Sequence, residues 1–130
     1  MAKALPLVLV DTSVFIDFFR GSDAPSVDRL VELISSDRVA LCGLIEAEIR
    51  YGLRPSERDR VQSLLKGFQT LDTKEEDFHH AGDLGSRLRV RGVTIPLHDC
   101  LIAALAIRYR VPLLTTDEHF NQIESLTLLP

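Results

Sequence analysis

The chain is short of four things, and each shortage bears on a class of protein. It holds only two cysteines in 130 residues, too few for a disulfide framework, and Cys42 and Cys100 both lie in apolar stretches where a free thiol behaves as a small hydrophobe. No apolar run is long enough to cross a bilayer, and the first residues lack the basic, then apolar, then small-residue order of a secretory signal, so a cytoplasmic protein is expected. Positive charge is not in excess. A formal net charge of -4 is at odds with meeting nucleic acid by bulk cationic attraction, although arginines do cluster locally at Arg50, Arg54, Arg58 and Arg60 and again at Arg87, Arg89 and Arg91. Internal repeats, low-complexity tracts and linkers are also missing. With 45% hydrophobic residues, the length suffices for one core but not two, and a single domain over 1–130 is expected.

What is present is an alternation. Short apolar runs at Leu7 to Val10, Val39 to Cys42 and Pro112 to Leu114 read as strands, with Phe68 to Leu71 and Leu126 to Leu129 as weaker candidates. Helical signals lie between them. Val14 to Phe19 forms a short helix that Gly21 ends, and Pro25 opens another through Ile34. Ser56 is placed to cap a helix carrying Val61, Leu64 and Leu65, while Thr73 and Glu76 make a capping-box pattern before a helix whose stripe is Phe78, Ala81, Gly85 and Leu88 and which Gly92 ends. Leu97 to Arg110 is apolar almost all round, as expected of a helix buried against a sheet. This order predicts an α/β fold with a mostly parallel sheet, in which chemistry gathers beyond the carboxyl ends of the strands where strand order reverses.

Acids stand at those places. Asp11 follows the first strand, Asp117 follows the strand in "VPLLTTDEHF", Asp99 heads the buried helix in "IPLHDCLIAALAIRYR", and Glu48 lies inside "LIEAEIRYGL". Each aspartate taken singly could be a helix N-cap, a favoured role for Asp. Capping leaves Glu48 unexplained, and it does not predict convergence on one sheet edge. Carboxylates about 5 Å apart repel by roughly 3 kcal/mol at an effective dielectric near 20, so a cluster needs protons or a divalent cation. Oxygen ligation favours Mg²⁺ or Mn²⁺. Of the histidines, His79 and His80 fall on a helix and His98 and His119 each neighbour an acid, without a clear zinc spacing.

Four segments together resemble the PIN-domain ribonucleases, and within them the VapC toxins of bacterial type II toxin-antitoxin pairs. "VLVDTSVFIDFFRG" is similar to the family's opening strand and turn, "IEAEIRYGL" to its second motif, "PLHDCLIAALA" to its third and "LLTTDEHF" to its fourth. The resemblance implies a three-layer α/β/α sandwich and an acidic quartet of Asp11, Glu48, Asp99 and Asp117. Asp11 and Asp99 would be the direct metal ligands, Glu48 would orient or deprotonate the attacking water, and Asp117 would hold a second metal or a water-bridged contact. Thr12, Ser13 and Thr115 are candidate supports. Glu46 competes with Glu48 for the second motif, though its spacing to Gly52 fits less well, and Cys42 sits near where a hydroxyl residue is expected.

The same resemblance implies a Mg²⁺- or Mn²⁺-dependent endoribonuclease leaving a 5′-phosphate and a 3′-hydroxyl, a cognate VapB-type antitoxin that blocks the acidic pocket, and a homodimer. Such a metal suits paired carboxylates at a phosphodiester, and it also eases the charge problem. Three rivals make different demands. A phosphoacceptor receiver needs a late lysine, whereas the lysines are Lys3, Lys66 and Lys74. A phosphatase of the haloacid-dehalogenase type needs an acid two residues after the first, where Ser13 stands. A non-catalytic module would use the acids only as caps.

Overall fold

In the computed structural model, residues 5–130 are described; residues 1–4, Lys3 among them, lie outside the described part. Four strands, β1 (Val8–Val10), β2 (Val39–Cys42), β3 (Gln69–Leu71) and β4 (Leu113–Leu114), form one sheet in the order β3-β2-β1-β4. All pairings are parallel, with Val8 against Val39, Leu9 against Leu113 and Ala40 against Gln69. Every residue of β1, β2 and β4 is buried, which is why these runs are uniformly apolar instead of alternating. The chain moves outward from β1 through β2 to β3 and then returns to the other side of β1 for β4. Strand order therefore reverses at β1, the place where open α/β sheets open a crevice at their carboxyl edge.

Six helices complete the three-layer α/β/α sandwich: α1 (Thr12–Phe19), α2 (Pro25–Ser35), α3 (Gly43–Tyr51), α4 (Arg58–Leu65), α5 (Glu75–Val90) and α6 (Leu97–Tyr109). α1 packs on α2 and α3, and α5 packs along α6. One apolar cluster runs through all of them, with Phe15, Phe120, Leu9 and Leu30 among its fully buried members. The two thiols are free and buried. Burial pushes both up from the ordinary thiol range. Among the described residues, no helix is long and apolar enough to cross a membrane.

Several local readings need correction. Leu126 to Leu129 is not a strand but a single parallel bridge of Leu128 to Leu113, held by Leu113 N–H to the Thr127 carbonyl and Leu129 N–H to the Leu113 carbonyl. Ser56 does not cap; it lies inside a short 3-10 turn, Pro55–Glu57, that runs directly into α4. Before α5 the box is shifted by one residue, because Asp77 rather than Glu76 reaches back to accept the Lys74 N–H at 2.8 Å. The buried face of α5 carries Asp77, Ala81, Leu84 and Leu88, while Phe78 is 57% exposed.

Arg108 on α6 partners the buried Asp77. Its guanidinium donates to both oxygens of Asp77, at 2.6 and 2.9 Å, and to the Asp72 carbonyl at 2.7 Å. The pair holds the Asp77 carboxyl below the usual carboxylate range despite its burial. Gly85 permits the same two helices to come together, since a Cβ there would meet the Cys100 sulfur at 3.3 Å.

Candidate functional site

The carboxyl edge of the sheet delivers the acids one strand at a time. β1 ends at Val10, and the next residue, Asp11, is held at the edge by its N–H bonding the Leu114 carbonyl of β4 at 2.9 Å. This backbone bond ties the exits of β1 and β4 together, so Asp11 and Asp117 leave the sheet side by side. Asp99 arrives from below on the third residue of α6, and Glu48 from the middle of α3. Asp11 is 6% exposed and Asp99 4%, a degree of burial that unpaired carboxylates rarely reach.

Capping accounts for only one of the three aspartates. Asp117 does cap the 3-10 turn Glu118–Gln122, accepting the His119 N–H on Oδ1 at 2.9 Å. Asp11 occupies the N-cap position of α1 but makes no side-chain cap bond, and Asp99 lies inside α6 behind Pro96. Instead, the Asp11 Oδ2 accepts two hydroxyls, from Ser13 at 2.9 Å and Thr115 at 2.8 Å. Its Oδ1 has no protein donor among the described residues. Thr115 Oγ1 in turn accepts the Asp117 N–H at 3.0 Å, and Ser13 Oγ accepts the Thr116 N–H at 3.3 Å. Two hydroxyls thus clamp one carboxylate oxygen and the following turn together.

Glu48 is held by Thr12, whose hydroxyl donates to Oε1 at 3.1 Å. The hydroxyl support expected near Cys42 is absent, since Cys42 makes no cap bond to α3; a hydroxyl reaches Glu48 from α1 instead. Glu46 is engaged elsewhere. It pairs with Arg50 one turn on, at 3.0 Å, whereas Glu48 meets the Thr12 hydroxyl and the charges of Asp11 and Asp99.

The group most poorly foreseen from sequence is His119. Its Nδ1 stands 3.2 Å from Asp99 Oδ2 and 3.2 Å from Asp117 Oδ1, and ligand atoms of Asp99, Asp117 and His119 all lie within 4.8 Å of one another. His98 adds a second imidazole, with Nε2 at 3.3 Å from Asp99 Oδ1. A histidine beside an acid carries no spacing signal by itself; the 3-10 turn after β4 brings this one across to α6.

Electrostatics bind the set into one unit. Burial pushes the Asp99 carboxyl up, the negative charges of Asp117 and Asp11 push it further, and the contacts with His119 and His98 pull it back. Burial likewise pushes Glu48 up, opposed by the Thr12 hydroxyl, with Asp11 and Asp99 adding repulsion. A divalent cation held by Asp99, Asp117 and His119 would offset the repulsion among these charges. The donor set is carboxylate oxygen with one available imidazole nitrogen, which suits Mg²⁺ or, better, Mn²⁺.

Comparison with known proteins gives the family. The PIN domain family matches residues 8–126. VapC ribonuclease Mb1587 of Mycobacterium bovis is 31% identical over 128 residues, covering 95% of this chain and 96% of the relative. Ribonuclease VapC10 of Mycobacterium tuberculosis is 35% identical over 121 residues, covering 92% and 90%. Among solved structures, FitAcB from Neisseria gonorrhoeae superposes with a TM-score of 0.79 at 26% identity, covering 95% of this chain and 98% of that one. VapBC2 from Rickettsia felis, bound to a promoter DNA fragment, shares the fold with a TM-score of 0.77 at 22% identity and covers 95% and 97%. The match spans the strands, the acid-bearing turns and the buried helix alike: the chain belongs to the PIN-domain family, among the VapC ribonucleases.

Proposed function

We propose that the chain is a Mg²⁺- or Mn²⁺-dependent endoribonuclease, the toxin of a type II toxin-antitoxin pair, and that Asp11, Glu48, Asp99 and Asp117 form its active site. The observation that carries this reading is the gathering of buried carboxylates around one reversal of strand order, with the ligand atoms of Asp99, Asp117 and His119 within 4.8 Å. Asp11, Asp99 and Asp117 would hold the cation. When bound, it supplies positive charge for the phosphate and lowers the pKa of a water.

The chain's own residues do the rest. Glu48, raised by burial and oriented by Thr12, accepts a proton from the attacking water, a role for which a carboxyl above its ordinary pKa is better matched. Ser13 and Thr115 fix Asp11, so that its free oxygen stays committed to the site. Attack at phosphorus breaks the bond to the 3′ oxygen, leaving a 5′-phosphate and a 3′-hydroxyl. Asp99, buried at the head of α6, keeps its position because the helix cannot shift without opening the core.

A VapB-type antitoxin is the proposed partner, since structural neighbours were solved as VapBC complexes, one described as a toxin-antitoxin system from Mycobacterium tuberculosis. A homodimer and a cytoplasmic location belong to the same proposal. The test is to incubate the purified protein with cellular RNA in Mg²⁺, Mn²⁺ or chelator and to sequence the new 5′ ends. Metal-dependent cuts bearing 5′-phosphates are expected, suppressed by the product of the adjacent upstream reading frame. Intact RNA in every metal would overturn the reading.

A further inference from the structure

Beside the acids lies a cavity of about 320 Å³ walled by Ile16, Phe19, Arg20, Glu48, Leu53 and Arg54, at the lower end of the roughly 300–1,000 Å³ range of small-ligand sites. We propose that this cavity seats the nucleoside next to the scissile phosphate, with its base against Phe19, Ile16 and Leu53 and its outer phosphate between Arg20 and Arg54. The proposal rests on the ribonuclease reading and adds to it the surface that selects where RNA is cut.

Three features of the cavity lead there. Glu48 is part of its wall, so whatever fills it touches the acidic site directly. Its apolar side is rigid: Phe19 stacks on Phe15 with ring centroids 6.2 Å apart and meets Phe18 edge-on at 5.7 Å. A fixed aromatic face flanked by aliphatic side chains is how single-stranded bases are held. The rim carries two arginines without an ion partner. The described arginine ion pairs are Arg50 with Glu46 and Arg108 with Asp77, and neither Arg20 nor Arg54 takes part in one.

The Arg54 backbone N–H donates to Glu57 Oε1 at 3.0 Å at the start of the 3-10 turn, which fixes the main chain from which the guanidinium leaves; Glu57 also lines the cavity. On a protein of net charge -4, two unpaired guanidiniums beside a catalytic acid answer how a phosphate backbone is received.

Gly52 allows a direct test. It lines the cavity, its φ is an ordinary -89°, and an added Cβ would find only the Glu48 and Ile49 carbonyl oxygens at 3.8 and 3.9 Å. A side chain therefore fits the backbone while filling the cavity. In protein carrying Asp99→Asn to keep RNA intact, binding of a short fluorescein-labelled single-stranded RNA of mixed sequence is followed by anisotropy across a salt series. Arg20→Gln and Arg54→Gln are each expected to weaken binding about ten-fold and to lower the slope of log K against log salt by about 0.7. Gly52→Leu is expected to weaken binding about ten-fold or more through lost stacking, with an unchanged melting temperature. In the otherwise native enzyme it should also redistribute the cut sites in total bacterial RNA.

Unchanged binding, slope and cut sites in a protein that still cleaves RNA would overturn the proposal and leave the ribonuclease reading standing. Loss of antitoxin inhibition with unaltered RNA binding would also overturn it, by assigning the cavity to the protein partner. Absence of cleavage by the native enzyme in any metal would instead remove the reading on which it rests.

Discussion

Replacing Asp99 by Asn should make the metal-free protein more stable, although it removes a buried residue's charge from the head of a helix. The ligand atoms of Asp99 and Asp117 lie within 4.8 Å, where two unit charges repel by about 3.5 kcal/mol at an effective dielectric of 20. Asp117 is 36% exposed at its side chain, so solvent screens much of this, and Asp99 also loses about 0.3–1 kcal/mol of favourable interaction with the α6 N-terminus. The contacts of Asp99 with His119 and His98 offset part of the remainder, leaving a net gain of about 1 kcal/mol, equivalent to about 3–5 °C in melting temperature for a chain of this size.

The sign with pH follows from the direction of the shift. Asp99 and Glu48 have carboxyls raised by burial, so the fold prefers them protonated; that preference favours folding below their unfolded pKa and is lost as pH rises through the folded one. The advantage of Asp99→Asn should therefore be absent below the unfolded carboxylate pKa and grow as pH rises through the folded one. Calorimetric melts in chelator across this range measure it. Saturating Mn²⁺ should reverse the order, since ligand at about 100 times its Kd adds about 2.7 kcal/mol to the native chain alone. A metal-free Asp99→Asn protein that melts lower than the native chain at pH 7 would refute the reasoning and make Asp99 a structural acid.

Three further outcomes follow from single contacts. Glu48→Gln should lower the cleavage rate by about 10²–10⁴ while Mn²⁺ affinity, read by calorimetry, changes by no more than a few-fold. His119→Ala should weaken Mn²⁺ binding more than Mg²⁺ binding, because imidazole nitrogen suits the former, and paramagnetic resonance should lose any nitrogen coupling seen in the native protein. Asp77→Asn should cost about 3 kcal/mol in urea unfolding, the low end for breaking a buried pair, since Arg108 keeps 23% exposure. With Asp77 depressed by Arg108, its contribution is present above the unfolded carboxylate pKa and disappears as pH falls through the folded one.

The site was legible where short-range sequence order and sheet topology coincide. Asp11 and Asp117 each follow an apolar run directly, and parallel pairing of β1 with β4 is enough to bring their turns together. Ser13 and Thr115 could be named because they sit two residues from those acids, within reach of a hydroxyl bond. His119 was not distinguished, because what matters is its approach to Asp99, twenty residues earlier in the chain and on another element.

The misread helix has the same origin. Thr73 and Glu76 satisfy a local capping rule, yet Asp77 makes the cap bond and also meets Arg108 from 31 residues away, a contact no local rule shows. Leu126 to Leu129 looked like a strand for a related reason: it is apolar enough to cover the outer edge of β4, but only Leu128 bridges.

Metal-dependent RNA cleavage by the native protein and its Asp11→Asn and Asp99→Asn variants, measured side by side against Mn²⁺ concentration, tests the central claim most directly. Cleavage by the native protein should rise to saturation with Mn²⁺ and stop in chelator, while both variants stay folded by circular dichroism and inactive throughout. Full activity in both variants, or native cleavage undiminished by chelator, would contradict the assignment of these carboxylates to a metal-dependent ribonuclease site.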